Sequence, residues 1–130
     1  MFKLHSYDGS EKIAGIEYLP CSAITPKVGT ALIQSSGNLA LATGSNAPTY
    51  ISMCEKSAAC TAGDIIPVIR VNHDMIFETT FSADPTSINI GDKVTLHSDG
   101  EQVTATTASG VAEVVYKDGN ASGAMCRVRF

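Results

Sequence analysis

Four cysteines and three histidines are the residues best suited to chemistry in this chain. Cys54 and Cys60 stand with five residues between them, and His73 and His97 follow. Structural zinc sites use tighter pairs, C-x2-4-C and usually repeated, so this spacing is a poor match. A cysteine nucleophile working with His73 or His97 would need an electropositive pocket to hold its thiolate. His73 lies in a turn sequence beside Asp74 and His97 ends a strand pattern, so both are expected in solvent. The carboxylates Asp64 with Asp92, and Asp74 with Glu78, are the candidates for acid–base work or calcium binding. Asp64 and Asp92 each follow a glycine, where a carboxylate bonds its own turn backbone. No D-x-D-x-D-G loop is present. Each glycine-rich turn leads into a strand pattern rather than a helix, which removes the anion site a phosphate loop needs. No catalytic, metal or cofactor residue is assigned, and a protein that is not an enzyme is expected.

The elements that would position these residues are short strands. The chain has 130 residues, enough for one modest core. Charged residues are few, and Gly, Ala, Ser and Thr suit tight turns and small strands better than long helices. A net charge of −4 with nine scattered Lys and Arg offers no basic stripe, so no nucleic-acid partner is expected. The first residues lack the apolar run of a signal peptide, and no later stretch is long enough to span a bilayer. The expectation is a protein made in a cytoplasm and kept there, or assembled there into something larger, with no membrane partner. The cysteines (Cys21, Cys54, Cys60, Cys126) allow three disulfide pairings. Reduced, partly buried thiols are the expected state.

Ile90–Val115 carries the clearest plan. Gly91-Asp92 turns into a strand over Lys93–His97, where Val94 and Leu96 alternate with polar residues. Asp99-Gly100 suits a two-residue hairpin turn, whose central residues both need φ > 0. Gln102–Thr107 returns as a strand, and Gly110 turns the chain into Val111–Tyr116. The plan recurs at Val28–Thr43, with a Ser-Gly turn at Ser36-Gly37. Val28-Gly29-Thr30, Ala62-Gly63-Asp64 and Ile90-Gly91-Asp92 share one device, a glycine turn entering a strand. Ile13–Leu19 reads as a strand stopped by Pro20. Pro48–Glu55 reads as a strand to about Cys54 followed by a loop, although Ser52 and Glu55 have capping-box spacing. Asn72-His73-Asp74 reads as a hairpin between Ile65–Val71 and Met75–Phe81. Pro67 inside a strand pattern argues for an edge or a bulge. Asp118–Gly123 is a tip before a last strand, Ala124–Arg129. The sum is a small all-β domain, a β-barrel or β-sandwich of about nine or ten short strands with little helix. Residues 1–27 form an N-terminal arm and first strand, and 28–130 form the barrel.

From Val28 onward the chain resembles the head decoration (capsid cement, head-stabilising) proteins of tailed bacteriophages. The likeness is carried by G-T-A-L-I-Q-S-S-G-N-L-A-L-A, P-T-Y-I-S-M-C, A-G-D-I-I-P-V-I-R-V, I-G-D-K-V-T-L-H-S-D-G-E-Q-V-T-A-T-T, G-V-A-E-V-V and C-R-V-R-F. It covers about the last hundred residues and is a pattern of small residues and turns; residues 1–27 match nothing comparable. The resemblance implies a β-rich structural protein without enzymatic activity. Such a protein binds the outside of a phage capsid and ties major capsid subunits together, commonly as a homo-oligomer, a trimer or dimer. It would be found on the virion surface after assembly in the host cytoplasm. The alternative is a soluble β-barrel that binds a small ligand or a protein partner, and a small thiol enzyme or hydrolase is a third reading. Candidate capsid or oligomer contacts are Phe2, Leu4 and Tyr7 in the arm, as a segment pairing with a neighbour's edge. Arg127 and Arg129 join them, sharing one face of the last strand opposite Val128 and Phe130, on a solvated edge or in an interchain salt bridge. Deleting residues 1–12 is then expected to leave the barrel folded but to weaken binding to capsids.

Overall fold

Three glycine turns set the starts of three strands in the same way. In a computed structural model that describes residues 1–7 and 15–130, Gly29, Gly63 and Gly91 have φ of 89°, 94° and 94°. In each turn the residue after glycine donates its N–H to a carbonyl three residues back: Thr30 to Lys27, Asp64 to Thr61, Asp92 to Asn89. The side chain of that residue then accepts the reciprocal N–H, at 2.9 Å for Thr30, 2.9 Å for Asp64 and 2.8 Å for Asp92. Positive φ at the third turn position is what only glycine supplies cheaply. The Ser36-Gly37 turn has φ of 50° and 84°, the double-positive geometry of a two-residue hairpin.

Ten strands follow: β1 (Lys3–Tyr7), β2 (Ile16–Pro20), β3 (Ala31–Ser35), β4 (Asn38–Leu41), β5 (Tyr50–Ser52), β6 (Ile65–Arg70), β7 (Met75–Thr80), β8 (Lys93–Val94), β9 (Ala112–Lys117) and β10 (Met125–Arg129). They form two antiparallel sheets, β1-β7-β10-β9-β8 and β2-β6-β5-β3-β4, packed as a sandwich. The architecture is all-β, with no helix among the described residues. The capping-box alternative at Ser52 is settled for a strand, β5.

The barrel does not close. On one side a continuation of β4 meets a continuation of β8 through reciprocal bonds between Gly44 and Leu96, 3.0 and 2.9 Å. On the other side the edge strands are β1 and β2, and among the described residues no backbone pairing joins them.

Several local expectations change. Asn72-His73-Asp74 is not a hairpin: β6 and β7 lie in different sheets, so this corner carries the chain from one layer to the other. Pro67 lies in a central strand in regular register with Tyr18, neither at an edge nor at a bulge. It is tolerated because its carbonyl accepts Met53 N–H at 2.9 Å just where β5 ends, and the N–H it lacks would point to that same side. The strand expected over Lys93–His97 is only Lys93–Val94, and Gln102–Thr107 is not a regular strand. Their pairing survives as a bridge between Leu96 and Val103 and a 2.9 Å bond from His97 N–H to Gln102 O. The connection is a four-residue loop, Ser98–Glu101, in which Gly100 has positive φ and Asp99 does not. Asp99 works through its carboxylate, which accepts the N–H groups of Glu101 and Gln102. Pro20 is the last residue of β2. Residues 13 and 14 of the expected first strand, and residues 8–12 of the expected arm, lie outside the described residues.

The main core fills the space between the sheets, with Ile51 and Ile69 from one and Phe77, Val114 and Val128 from the other. A second core lies on the outer face of the β2-β6-β5-β3-β4 sheet, where Leu32, Leu39, Ile66 and Val68 are covered by the segments around Cys21 and Cys60. The arm is part of this body. Phe2 is 2% exposed, its N–H bonds Gly29 O at 2.8 Å, and β1 pairs along β7. Its ring meets Phe130 edge-on at 5.4 Å, and Phe130 in turn meets Phe77 at 5.8 Å. Buried hydroxyls are satisfied: Thr79 donates to Glu101 O at 2.8 Å, and Thr95 and Thr104 pair at 2.7 Å.

Candidate functional site

The seam between β1 and β2 is where the structure leaves apolar surface uncovered. Directly opposed residues of an antiparallel pair share a face, and β2 opposes β6 as Ile16 with Ile69, Tyr18 with Pro67 and Pro20 with Ile65. Ile69 on that face is in the main core. Its neighbours on the same face are exposed: Ile16 at 52%, Tyr18 at 68% and Ile65 at 57%. These side chains point to the inner side of their sheet, but the other sheet ends at β1 and does not reach over them. The strip runs into a cleft of about 280 Å³ lined by Met1, Phe2, Leu4, Ile16, Val28 and Met53, with Ile51 and Ile69 at its walls. Lys3 is its one charged lining residue. Met1, Val28 and Met53 are themselves exposed, so strip and cleft make one apolar surface. A contiguous exposed apolar surface beside unpaired strand edges is the usual mark of a contact site.

Of the residues first suited to chemistry, Cys21 and Cys60 share one buried cluster, and the histidines and carboxylates form no joint site with them. His73 faces the Phe130 carbonyl at 3.2 Å, and His97 sits 3.2 Å from Asp99, both toward solvent. Asp64 and Asp92 close their own turns, as expected. Glu78 pairs with Arg127 at 3.4 Å, away from Asp74. Among the described residues no group of three His, Cys, Asp or Glu has metal-ligand geometry. Cys21 and Cys126 are buried, and burial first of all pushes both thiols up to about 12. A thiol held that high is a poor nucleophile at neutral pH.

The five expected contact residues divide. Phe2 is a core residue, 2% exposed, at the inner wall of the cleft. Leu4 and Tyr7 are partly buried and pack against the main core, with Leu4 reaching the cleft. Arg127 and Arg129 do share a face opposite buried Val128. They lie on a central strand rather than an edge, each with a partner in its own chain, Glu78 at 3.4 Å and Glu113 at 3.2 Å. Arg127 also lies over the Tyr116 ring at 4.8 Å. The Ile16, Tyr18 and Ile65 strip was not expected from sequence. Alternating apolar residues in a strand signal an inward face, and nothing local reports that this end of the face stays exposed. Comparison with known proteins finds no matching family model and no matching curated protein.

Proposed function

We propose that this chain is a non-catalytic structural module that docks on the exterior of a phage capsid and stabilises contacts between major capsid subunits. The observation that carries the reading is the exposed apolar face of β2 and β6 beside the edges of β1 and β2, which no backbone pairing joins to each other among the described residues. The resemblance in turn pattern supplies the kind of partner. A rigid sandwich with one adhesive seam is suited to filling a joint between larger subunits, and an edge strand can extend a neighbour's sheet. The test is addition of purified protein to capsids that lack it. Tyr18→Asp with Ile65→Asp is expected to abolish binding while leaving the unfolding midpoint within experimental error of the parent. Full occupancy by the double variant would remove this seam from the contact.

A second reading has its own observation. The cleft's volume falls just under the usual lower bound of small-ligand pockets, about 300 Å³, and its lining is apolar apart from Lys3. A soluble binding module for a small apolar ligand would use the same seam. Saturable binding of a fluorescent aliphatic probe that Ile16→Trp blocks, together with no affinity for capsids, would favour it.

A further inference from the structure

The segment Met53–Asp64 leaves β5 and crosses the outer face of its own sheet before β6 begins. From Glu55 to Gly63 every side chain is exposed except one, Cys60, which is 4% exposed and sits in the second core. That thiol, with the bonds from Lys56 N–H to Pro26 O at 2.9 Å and from Cys60 N–H to Ile24 O at 2.8 Å, holds the middle of this segment to the body. Its neighbour in that core is another thiol: Cys21, fully buried, belongs to the same small cluster. The backbone holds the two against each other. Cys21 continues the β2–β6 ladder by donating to Asp64 O at 2.8 Å and accepting Gly63 N–H at 2.8 Å, while Cys60 N–H bonds Ile24 O at 2.8 Å. The Thr61–Asp64 turn, closed by Asp64 on Thr61, fixes the few residues between those contacts. Packing alone asks only for two small apolar residues here. Two thiols brought into one small core from different segments offer a second possibility.

We propose that Cys21 and Cys60 are an oxidisable pair, and that a disulfide between them staples the Met53–Asp64 segment to the end of β2. The oxidant is a small-molecule disulfide. One protein thiolate attacks it, forming a mixed disulfide and releasing one small thiol. The second protein thiolate then attacks the protein-side sulfur and releases the other small thiol. The protein loses two electrons and two thiol protons, and both protons end on the released thiols. Neither sulfur reaches solvent in the closed form, so the first step waits for the segment to lift. The reaction is therefore slow in the native state, and mild denaturant that leaves the fold intact accelerates it.

The test uses the full chain, incubated with oxidised glutathione, with a reduced sample beside it. A Cys54→Ser/Cys126→Ser variant keeps only the pair in question. In both proteins the expected result is a mass loss of about 2 Da with no retained glutathione, and a peptide map that joins Cys21 to Cys60. Closing a loop of about 40 residues is expected to raise the melting temperature on the order of 10 °C. Cys60→Ala abolishes both effects, and its circular dichroism shows whether it folds. Cys21→Ala serves as the second single-thiol control. Retention of glutathione on separate cysteines without cross-linking would overturn the proposal. So would a cross-link that forms only after unfolding and lowers the melting temperature.

Discussion

Replacing Phe2 with alanine separates a mobile arm from a structural strand. On the arm reading Phe2 is a surface contact, and its loss changes binding but not stability. In the structure it is 2% exposed, stacks edge-on against Phe130 at 5.4 Å and lies where β1 meets the Lys27–Thr30 turn. Removing a buried phenylalanine forfeits its transfer energy and leaves a cavity, costing about 3–5 kcal/mol. Collapse is restricted here because Gly29 already sits against the backbone of Phe2, so a Cβ there would fall 2.8 Å from Phe2 N. A domain of this size has about 5–15 kcal/mol of stability, so the variant is expected to fold and be measurably weaker. With a urea slope near the middle of the usual range, about 2 kcal/mol per molar, the midpoint falls by roughly 2 M with the slope unchanged. Leu4→Ala, at a partly buried position, is expected to cost less than half as much. Equilibrium urea unfolding followed by far-UV circular dichroism gives both numbers. A Phe2→Ala midpoint equal to the parent's would refute the placement of this residue in the core. Deletion of residues 1–12, expected from sequence to leave the barrel folded, is now expected to remove an edge strand and a core ring together and to destabilise the whole domain.

Other perturbations follow from single contacts. Gly110→Ala places a Cβ 2.0 Å from the Lys93 carbonyl oxygen, a backbone atom that cannot rotate away, whereas Gly63→Ala meets open space and is strained only by its φ of 94°. The first is expected to prevent folding or cost several kcal/mol, and the second about 1 kcal/mol; thermal melts of the two that coincide would refute the difference. Acid should weaken the fold. The Thr86 hydroxyl and N–H hold the Asp84 carboxyl below its usual range, and Arg129 does the same for Glu113. At Asp99 burial pushes upward, but the Glu101 N–H and His97 outweigh it and leave the carboxyl lowered. Each group is more acidic folded than unfolded, so its contribution is present above the ordinary carboxylate values of 3.8 and 4.5 and is lost as pH falls through the lower folded values. A urea midpoint unchanged between pH 7 and pH 3 would contradict this. The pair Arg70–Glu17 at 2.9 Å is exposed, so Glu17→Gln is expected to leave the urea midpoint within experimental error of the parent's.

What could be read along the chain depended on how far apart the deciding residues are. The three glycine turns, the Ser36-Gly37 hairpin and the turn roles of Asp64 and Asp92 were legible because donor and acceptor lie within three residues. The β3–β4 hairpin was legible for the same reason. The Asp99-Gly100 turn was misread because the bond from His97 N–H to Gln102 O sets a four-residue loop, and the dipeptide inside it does not decide the loop's length. Asn72–Asp74 has hairpin composition and makes a corner between layers, since β7 finds its partners in β1 and β10 rather than in β6. The candidate site was the least legible part. Phe2 and Leu4 read as contact residues because they alternate with polar residues near a chain end, while Ile16 and Tyr18 fell in an expected strand with no face assigned.

By itself the sequence determined an all-β domain of short strands, where most of its turns fall and which carboxylates serve them. Those features rest on φ preferences and bonds that close over a few residues. Only the tertiary structure decided which strands share a sheet, that Lys3 in β1 pairs with Glu78 across more than half the chain, and that the sheets meet at Gly44–Leu96 while no pairing joins β1 to β2 among the described residues. Pairing over that distance is selected by the burial of two whole sheet faces at once. The apolar strip of Ile16, Tyr18 and Ile65 is the part of one such face that stays exposed.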